Sequence, residues 1–257
     1  MARPHIEFIR AADVEETPAA APFAGAHERR LSTDDETGAY TALVRLPAGS
    51  RFERGGSARP LELFWLGGEA RLGTDRLGAG CFVYLESGLA EAPLVTAAAG
   101  EDCLALAMVE DVRAAGPTGS WGVIDTERMN YALSGFDGQI PPGLVIKKLR
   151  VDEETGDWSW LAAGAPNRVT PLAEIHSTIE EAFLIRGDCL VGERGEMTPS
   201  AYFWRPGLVE HGPMASRNGT LFFFRTKQGG LDLDTVDVPG WEEQVRAYRA
   251  RQPYYRG

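Results

Sequence analysis

The sequence predicts an all-β protein made of two tandem jelly-roll β-barrel domains, followed by a short C-terminal helix. Three observations support this prediction: the length of the chain, an internal repeat, and many short strand-like runs between turn residues. The 257 residues exceed the usual size of one domain and fit two domains of about 100–130 residues. A hydrophobic content of 44% is enough to form one or two cores.

The internal repeat has an offset of about 118 to 120 residues. Residues 35–38 (DETG) recur as residues 153–156 (EETG), and residues 62–68 (ELFWLGG) recur as residues 181–187 (EAFLIRG). An ordered series of matches at nearly constant spacing indicates duplicated units. Solenoid repeats are about 20 to 50 residues long, so a repeat of this length corresponds to a whole domain.

Short runs with the aromatic and β-branched bias of strands fill both repeats, and turn residues occupy the gaps between them. The predicted strands are 39–46, 61–66, 81–85 and 104–109 in the first repeat, and 158–161, 182–185, 201–204 and 221–225 in the second. Helical periodicity is weak except over 240–251, which predicts a short helix before Pro253. Many short strands and few helices favour an antiparallel sandwich or barrel.

These signals divide the chain into five parts. We expect an irregular N-terminal segment over 1–30, a first barrel over 31–115, a linker over 116–142, a second barrel over 143–238, and a helix with its tail over 239–257. Glycines and prolines in and around the linker place the join between the two barrels.

Composition excludes several classes of partner. The net charge of −11 argues against a surface for nucleic acid or anionic membranes, because phosphate groups need clustered Lys and Arg. No apolar stretch approaches the roughly 20 residues that span a bilayer, and the first residues lack the pattern of a signal peptide. Cys81, Cys103 and Cys189 lie far apart in apolar runs, which predicts buried free thiols and a cytoplasmic location.

The residues with metal-binding chemistry are concentrated in the second repeat. Glu174 and His176 are two residues apart, so that on a strand their side chains share one face. Glu180 follows four residues later, with six residues between it and Gly187, and His211 ends another aromatic strand. Two imidazoles and one carboxylate form a facial triad with open positions, which suits non-haem Fe(II) and also accepts Zn, Mn, Ni or Cu.

These spacings resemble the motifs of the cupins. Residues 174–187 (E-x-H-x3-E-x6-G) resemble the first cupin motif, HxHx(3–4)Ex6G, with Glu174 in place of the first histidine. Residues 206–211 (PGLVEH) resemble the second motif, PxGxxH, with the glycine displaced by one position. The surrounding sequence is similar to the ChrR-like and DUF4437 branch of the cupins, closely in the second repeat and weakly in the first.

The resemblance implies a bicupin whose second barrel holds one divalent transition metal ion. His176, Glu180 and His211 would be its ligands, and Glu174 would be a fourth ligand or a catalytic base that orients substrate or water. Glu181 competes with Glu180 for the carboxylate position, since neighbours on a strand face opposite sides. The six-residue gap to the glycine favours Glu180.

The first repeat tests this interpretation internally. The offset places Gly55, Ser57, Leu61 and Glu91 at the positions of the four candidate ligands. Glycine and leucine side chains cannot bind a metal ion, and one carboxylate holds a transition metal poorly. We therefore expect that the first barrel has no metal site and serves structure or dimerisation.

Two further groups of residues in the second repeat have structural as well as functional interpretations. Arginines that could clamp a substrate carboxylate, although most such arginines are solvated, are Arg168, Arg186 and Arg205. Aromatic residues that alternate on predicted strands, so that some face the interior, are Trp158, Trp160, Phe183, Tyr202 and Trp204. Most of these aromatic residues belong to a core by default, but an aromatic cavity beside a metal ion would also bind an apolar substrate.

The leading functional hypothesis is a mononuclear metalloenzyme, an Fe(II) dioxygenase that acts on a small-molecule substrate such as a diketone or a phenolic ketone. This choice of chemistry rests on the cupin resemblance and the open triad. The alternative is a non-catalytic sensor that binds a metal ion or a small molecule, and a purely structural bicupin is a third option. The two barrels occupy nearly the whole chain, which favours an enzyme over a sensor, and their edge strands also allow a homodimer.

Overall fold

The computed structural model describes residues 3–52, 59–87, 95–111, 120–132, 143–153, 155–227 and 234–251. The strands of the first half are β1 Ile6–Arg10, β2 Thr17–Pro18, β3 His27–Thr33, β4 Tyr40–Leu46, β5 Arg51–Phe52, β6 Leu61–Gly67, β7 Ala70–Leu72, β8 Asp75–Leu77, β9 Cys81–Leu85, β10 Val95–Ala97, β11 Cys103–Val109 and β12 Trp121–Asp125.

The second half continues the same pattern of short strands. They are β13 Leu144–Val151, β14 Trp158–Gly164, β15 Val169–Thr170, β16 Leu172–Ile175, β17 Ile179–Gly187, β18 Cys189–Val191, β19 Gly195–Met197, β20 Ala201–Arg205, β21 Met214–Ala215, β22 Thr220–Lys227 and β23 Asp234–Asp237. The helices are α1 Trp241–Ala250 and the short 3-10 turns Ala11–Asp13, Thr126–Arg128 and Gly192–Arg194.

The chain divides into two compact units. Unit 1 comprises the residues up to Pro4 and Ala11–Met129, and unit 2 comprises His5–Arg10 and the residues from Asn130 onward. Strand β1 therefore belongs to the unit that is otherwise built from the C-terminal half. It pairs antiparallel with β20 at the edge of the main sheet of unit 2.

Unit 1 consists of two antiparallel sheets with a shared core. A seven-stranded sheet has the order β12-β9-β6-β11-β4-β3-β2, and a four-stranded sheet has the order β5-β10-β7-β8. Alternate residues of β6, namely Leu61, Leu63 and Trp65, belong to the same buried cluster as Leu72 and Val95 of the smaller sheet. The alternation of β6 therefore fills the interior of a jelly-roll barrel with apolar side chains.

Unit 2 repeats this plan. A six-stranded sheet has the order β1-β20-β17-β22-β14-β13, a four-stranded sheet has the order β15-β21-β18-β19, and β16 pairs with β23. Ala182, Leu184 and Phe203 of the large sheet cluster with Val191 and Met197 of the small one. The face of β17 that carries Ala182 and Leu184 is therefore the interior face.

Helix α1 covers the small sheet of unit 2. Trp241, Val245 and Tyr248 are spaced by four and three residues, which places them on one side of the helix. They form a buried cluster with Leu190 of β18 and Ala215 of β21. The predicted C-terminal helix over 240–251 is thus present, and this apolar stripe attaches it to the barrel.

One row of side chains crosses the large sheet of unit 2 at the start of β17. Glu180 lies opposite Arg205 of β20 on one side and opposite Thr226 of β22 on the other, so that all three share the interior face. The corresponding row of unit 1 is aliphatic. Leu61 of β6 lies there opposite Leu85 and Val109.

The predicted fold class is confirmed by the abundance of strands and by the two jelly-roll units. The predicted strands are present with ends that differ by at most three residues. Two segments differ from the prediction: 1–30, expected to be irregular, contains β1, β2 and the start of β3, and the expected linker 116–142 contains β12. Strands β1 and β12 lie at sheet edges, where one neighbour supplies their hydrogen bonds and a weak apolar pattern is enough.

Cys81, Cys103 and Cys189 are buried free thiols, as the sequence predicts. Burial raises the pKa of the Cys189 thiol to about 12, so the group stays protonated at neutral pH. Across the described residues, the helices are all too short or too polar to cross a bilayer.

Candidate metal centre

The candidate metal centre lies where the residues around β16 run beside the segment that follows β20. The backbone N–H and C=O of Glu174 pair with those of His211, at N···O distances of 2.8 and 3.0 Å. Two residues paired in this way carry their side chains on the same face. The N–H of Leu208 donates to the carbonyl oxygen of His176 at 2.6 Å, which extends the contact between the two segments.

The segment after β20 needs a glycine directly after Pro206. A Cβ atom at Gly207 would lie 2.2 Å from the carbonyl oxygen of Ser177, far inside any normal contact distance. Leu208 follows with a φ of 68°, in the left-handed region. The displaced glycine of the second motif therefore has a structural reason, which is the close approach of the two backbones.

The four predicted site residues come together in unit 2. One ligand atom from each of Glu174, His176 and His211 lies within 4.8 Å of the other two. Nε2 of His176 is 3.9 Å from Oε2 of Glu174, and Nε2 of His211 is 3.5 Å from Oε2 of Glu180. Glu174 therefore forms a triad with the two histidines, and Glu180 contacts this triad through His211.

Strand β17 sends its two adjacent glutamates to opposite faces. Glu180 faces His211, whereas Glu181 accepts hydrogen bonds from the Tyr202 hydroxyl and from the Arg225 guanidinium, both at 2.8 Å. Both carboxylates are buried. The alternation of the strand places Glu180 beside the histidines and Glu181 on the other face.

His211 is neutral and has a defined tautomer. Its Nδ1 lies 3.1 Å from the carbonyl oxygen of Val209, and because a carbonyl can only accept, Nδ1 carries the proton. Burial lowers the pKa of His211 to about 4, so the ring is neutral at neutral pH. Nε2 is buried and receives no hydrogen bond from the described residues, and its lone pair lies near the carboxylate of Glu180.

The two carboxyl groups of the site have pKa values shifted in opposite directions. Burial alone would raise the pKa of Glu180, but electrostatic interactions with His211, His176 and Arg205 outweigh burial and hold that pKa below its usual value. Burial raises the pKa of Glu174 above its usual value. Glu180 is therefore the carboxylate of the site, and Glu174 takes up a proton more readily.

These residues fit a divalent transition metal ion. Nε2 of His211 and Oε2 of Glu180 are both acceptors, and two buried acceptors that face each other are stabilised by a proton or a metal ion between them. Two imidazoles and two carboxylates form a donor set that Fe, Mn, Zn, Ni and Cu accept. The carbonyl of Val209 supplies the outer hydrogen bond that orients a ligating histidine.

Arg205 is a close neighbour of the site, which the sequence indicated only as one of three clamp candidates. Its side chain is 2% exposed, and Nη1 lies 3.5 Å from Oε2 of Glu180 while Nη2 lies 3.3 Å from Oε1 of Glu7. The other two clamp candidates differ, since Arg168 is half-buried and Arg186 is exposed. Arg205 differs from the other two arginines because it lies directly opposite Glu180 on the neighbouring strand. This strand register cannot be predicted from composition.

The predicted aromatic residues divide between the two faces of the large sheet. Trp160 lies opposite Phe224 on the interior face and stacks on it, with ring centroids 4.4 Å apart and planes inclined by 11°. Trp158, opposite Thr226, shares this face. The residues on the opposite face, with Glu181, are Phe183, Tyr202 and Trp204.

The positions of unit 1 that correspond to the candidate ligands are only partly described. Gly55, Ser57 and Glu91 lie outside the described residues. Leu61, which corresponds to Glu180, is buried in the apolar core. The absence of a metal site from the first barrel therefore stays a prediction.

Comparison with known proteins agrees with this fold. The ChrR cupin-like domain family matches residues 6–108 and 123–229, one match in each repeat. No curated protein matches the chain.

Several solved structures share the architecture. The chain is similar to a putative dioxygenase from Nostoc punctiforme, with a TM-score of 0.75, 19% identity, and coverage of 90% of this chain and 86% of the other. It is similar to a putative glyoxylate-induced protein from Pseudomonas aeruginosa, with a TM-score of 0.69, 12% identity, and coverage of 86% and 88%. It is also similar to a mutant oxalate decarboxylase from Bacillus subtilis, with a TM-score of 0.55, 13% identity, and coverage of 96% and 85%.

Identities this low establish the fold alone. The family match covers most of the chain and both repeats. The chain therefore belongs to the ChrR cupin-like family, as a bicupin with a candidate metal centre in its second barrel.

Proposed function

We propose that the protein is a metal-dependent cupin enzyme, an Fe(II) dioxygenase that acts on a small oxygenated substrate such as a diketone or a phenolic ketone. The observation that carries the proposal is the pair of buried acceptors, Nε2 of His211 and Oε2 of Glu180, 3.5 Å apart. Glu174 and His176 lie beside them. Two histidines and a carboxylate with open positions are the ligand set of many non-haem Fe(II) oxygenases.

In this proposal His176, Glu180 and His211 hold the metal ion, and Zn, Mn, Ni or Cu would fit the same donors. Bound Fe(II) supplies redox chemistry towards O2 and Lewis acidity towards substrate oxygen atoms. The carbonyl of Val209 fixes the tautomer of His211, so that the lone pair of Nε2 can bind the metal ion without a change of tautomer.

Glu174 is proposed as the base of the reaction. Its side chain is 12% exposed, against 3% for His176, so it is the member of the pair that substrate and water reach more easily. Burial raises its pKa, which favours uptake of a proton from a substrate hydroxyl or enol by its carboxylate oxygen. Its place in the triad with His176 and His211 also supports a role as a fourth ligand.

The aromatic interior wall beyond Glu180 favours a substrate that has an apolar part. Trp160 and Phe224 stack on the interior face, two residues further along their strands than the polar row. Aromatic walls exclude water and bind flat organic groups, while a few polar groups orient the reacting end. A diketone or phenolic ketone combines these two properties, since its oxygen atoms lie at one end.

Metal content tests the site. We expect about one transition metal ion per wild-type chain and less than about 0.1 per chain in His176→Ala and His211→Ala, as measured by plasma mass spectrometry on protein purified without chelators. Glu181→Gln is the matched control, because it removes a buried charge from the other face of β17 and should leave the metal content unchanged. A wild-type protein that binds no metal, even after anaerobic reconstitution with Fe(II), would contradict the proposal.

Oxygen consumption tests the reaction. The Fe(II)-loaded protein should consume O2 in the presence of a panel of diketones and phenolic ketones, and the Zn-loaded protein should not. Glu174→Gln should keep the metal and lose about 10²–10⁴-fold in turnover if Glu174 is the base. A loaded protein that consumes no O2 with any member of the panel would contradict the dioxygenase assignment and leave the metal site intact.

A metal sensor is the second candidate, because Glu174 is close enough to both histidines to close a four-ligand site. A closed site leaves no position for a substrate. For a sensor, Glu174→Gln should release the metal rather than slow a reaction. Metal content of this one variant therefore discriminates the two candidates.

A further inference from the structure

A line of alternating charges runs from the surface of unit 2 to the candidate metal centre. Glu7 of β1 forms an ion pair with Arg194, and its other oxygen lies 3.3 Å from Nη2 of Arg205. Nη1 of Arg205 lies 3.5 Å from Oε2 of Glu180. The same Oε2 atom lies 3.5 Å from Nε2 of His211.

Arg205 and a bound metal ion would therefore compete for one oxygen atom. A cation bound between Glu180 and His211 draws on Oε2 of Glu180, which is also the atom nearest to Arg205. Arg205 is 2% exposed, so water screens its charge weakly. The pairing of Arg205 with Glu7 weakens the attraction between Arg205 and Glu180. The Glu180 carboxylate is then more available to the metal ion.

The barrel itself does not require Arg205. The register of unit 1 places Leu85 at the corresponding position, opposite Leu61, and that barrel closes with an apolar row. A buried guanidinium is costly unless it is paired, so its presence in unit 2 needs a reason beyond packing. The presence of Glu180 in the same row provides that reason.

We propose that Arg205 competes with the metal ion for Glu180 and that Glu7, on the N-terminal strand, sets the metal affinity of Glu180 by sharing the charge of Arg205. This inference rests on the proposed metal site. Arg205 holds Glu180 in place when no metal ion is bound, and Glu7 takes over the neutralisation of Arg205 when a metal ion binds. The N-terminal strand is thus a functional part of the second barrel.

The proposal predicts opposite signs for two neighbouring substitutions. Glu7→Gln forces Arg205 to rely on Glu180 alone and should weaken Zn²⁺ binding by about tenfold. Arg205→Met removes the competing cation and should strengthen Zn²⁺ binding by about tenfold or more. In the double variant, Glu7→Gln should have no further effect, because Glu7 acts only through Arg205.

The experiment measures the dissociation constant of Zn²⁺ by competition with a chelating dye at one neutral pH, and the visible spectrum of the Co²⁺ protein as a report on the ligands. Arg225→Met is the control for Arg205→Met, since it removes an equally buried arginine that bonds Glu181 on the opposite face. Arg194→Gln is the control for Glu7→Gln, since it breaks a different ion pair of Glu7 and keeps the pair with Arg205. Both controls should bind Zn²⁺ within about twofold of the wild type.

Opposite shifts for the two variants, with no effect of Glu7→Gln in the Arg205→Met background, would support the proposal. An unchanged affinity in Glu7→Gln, or an equal loss in Arg194→Gln, would overturn it, and this comparison remains available if Arg205→Met does not fold. A loss in Arg205→Met equal to that in Glu7→Gln would also overturn it. Wild-type protein that binds neither Zn²⁺ nor Co²⁺ would contradict the proposed function itself, which separates the two failures.

Discussion

The two barrels share a jelly-roll plan, and one interior row of their large sheets differs in polarity. In unit 2 this row is polar and consists of Glu180, Arg205 and Thr226. In unit 1 it is aliphatic and consists of Leu61, Leu85 and Val109. A duplicated fold therefore keeps its architecture while one interior row changes from aliphatic to polar.

A buried glutamate alone does not distinguish the two units, as the neighbouring row on the opposite face of the large sheet shows. Glu62 in unit 1 and Glu181 in unit 2 are both buried glutamates, 5% and 3% exposed. Glu181 is neutralised by Arg225. A buried glutamate is thus common to both barrels, and the face that the glutamate occupies distinguishes the candidate metal centre.

The largest expected effect comes from replacing the polar row of unit 2 by the aliphatic residues found in unit 1. The triple change Glu180→Leu, Arg205→Leu and Thr226→Val should abolish metal binding while unit 2 still folds. Replacing a buried ion pair by apolar side chains is often neutral or stabilising, so the free energy of unfolding should rise by up to about 4 kcal/mol. Metal analysis and denaturant unfolding measure the two outcomes.

A triple variant that keeps its metal would show that Glu180 is not a ligand. A variant that fails to fold would show that the polar row is part of the core, and the comparison between the barrels would then have to be abandoned. Glu180→Gln alone is the control, since it should lose metal and leave buried Arg205 with Glu7 as its remaining carboxylate partner.

The reverse change tests unit 1. Leu61→Glu buries a carboxylate among apolar side chains, and an uncompensated buried charge should lower the free energy of unfolding by about 3–5 kcal/mol. Leu61→Met, which nearly conserves volume, should cost less than about 1.5 kcal/mol. Denaturant unfolding at neutral pH distinguishes them, and an unchanged stability of Leu61→Glu would indicate an unrecognised partner for the carboxylate.

A smaller effect is expected at the turn after the central strand. In unit 2 this turn carries the buried Asp188, which accepts hydrogen bonds from the hydroxyl of Tyr248 and from the backbone N–H groups of Arg217 and Asn218. In unit 1 the corresponding Glu69 is exposed. Asp188→Asn should therefore lower the free energy of unfolding by about 2–3 kcal/mol at pH 7, and Glu69→Gln by less than about 0.5 kcal/mol.

The effect of Asp188→Asn should depend on pH. Burial raises the pKa of Asp188, but the hydrogen bonds from Tyr248 and the backbone outweigh burial and hold that pKa below its usual value. A lowered pKa stabilises the folded state above the unfolded value of about 3.9, and this contribution disappears as the pH falls through the folded pKa. The stabilities of wild type and variant should begin to converge only as the pH falls below about 4, and a difference that stays constant well below that pH would refute the assignment.

The smallest effect is expected at Thr226. Its hydroxyl is buried and makes no hydrogen bond with the described residues, whereas unit 1 has Val109 at this position. Thr226→Val should raise the free energy of unfolding by about 1 kcal/mol and leave the metal content unchanged. Thermal unfolding with and without Zn²⁺ measures this effect, and a loss of stability would reveal a partner for the hydroxyl.

Most of the fold was predictable because strand patterns are local. Strand β9 matches its prediction over 81–85, where apolar and aromatic residues form a continuous run. Strand β17 was predicted only from Ala182, because the pair Glu180 and Glu181 interrupts the apolar run. The structure extends this strand back to Ile179, since partners on neighbouring strands and at the site compensate for the burial of both carboxylates.

The spacing of residues in the sequence was enough to indicate the four candidate ligands of the site. The four candidate ligands lie within 38 residues of one another and follow the motifs of a known family. Glu7 could not be predicted, because it is 198 residues from Arg205 and only the register of β1 on β20 brings them together. Neighbours of a site that are distant in the chain depend on strand order, which composition and periodicity do not specify.

The place of β1 in unit 2 has a consequence for biosynthesis. At a synthesis rate of about 5–20 residues per second, Glu7 leaves the ribosome about 10–40 s before Arg205, 198 residues later. Unit 1 can be complete during this interval, while β1 waits for the strand against which it pairs. The candidate ligand His211 follows Arg205 by six residues, so the candidate metal centre and the pairing of β1 with β20 are both completed only late in translation.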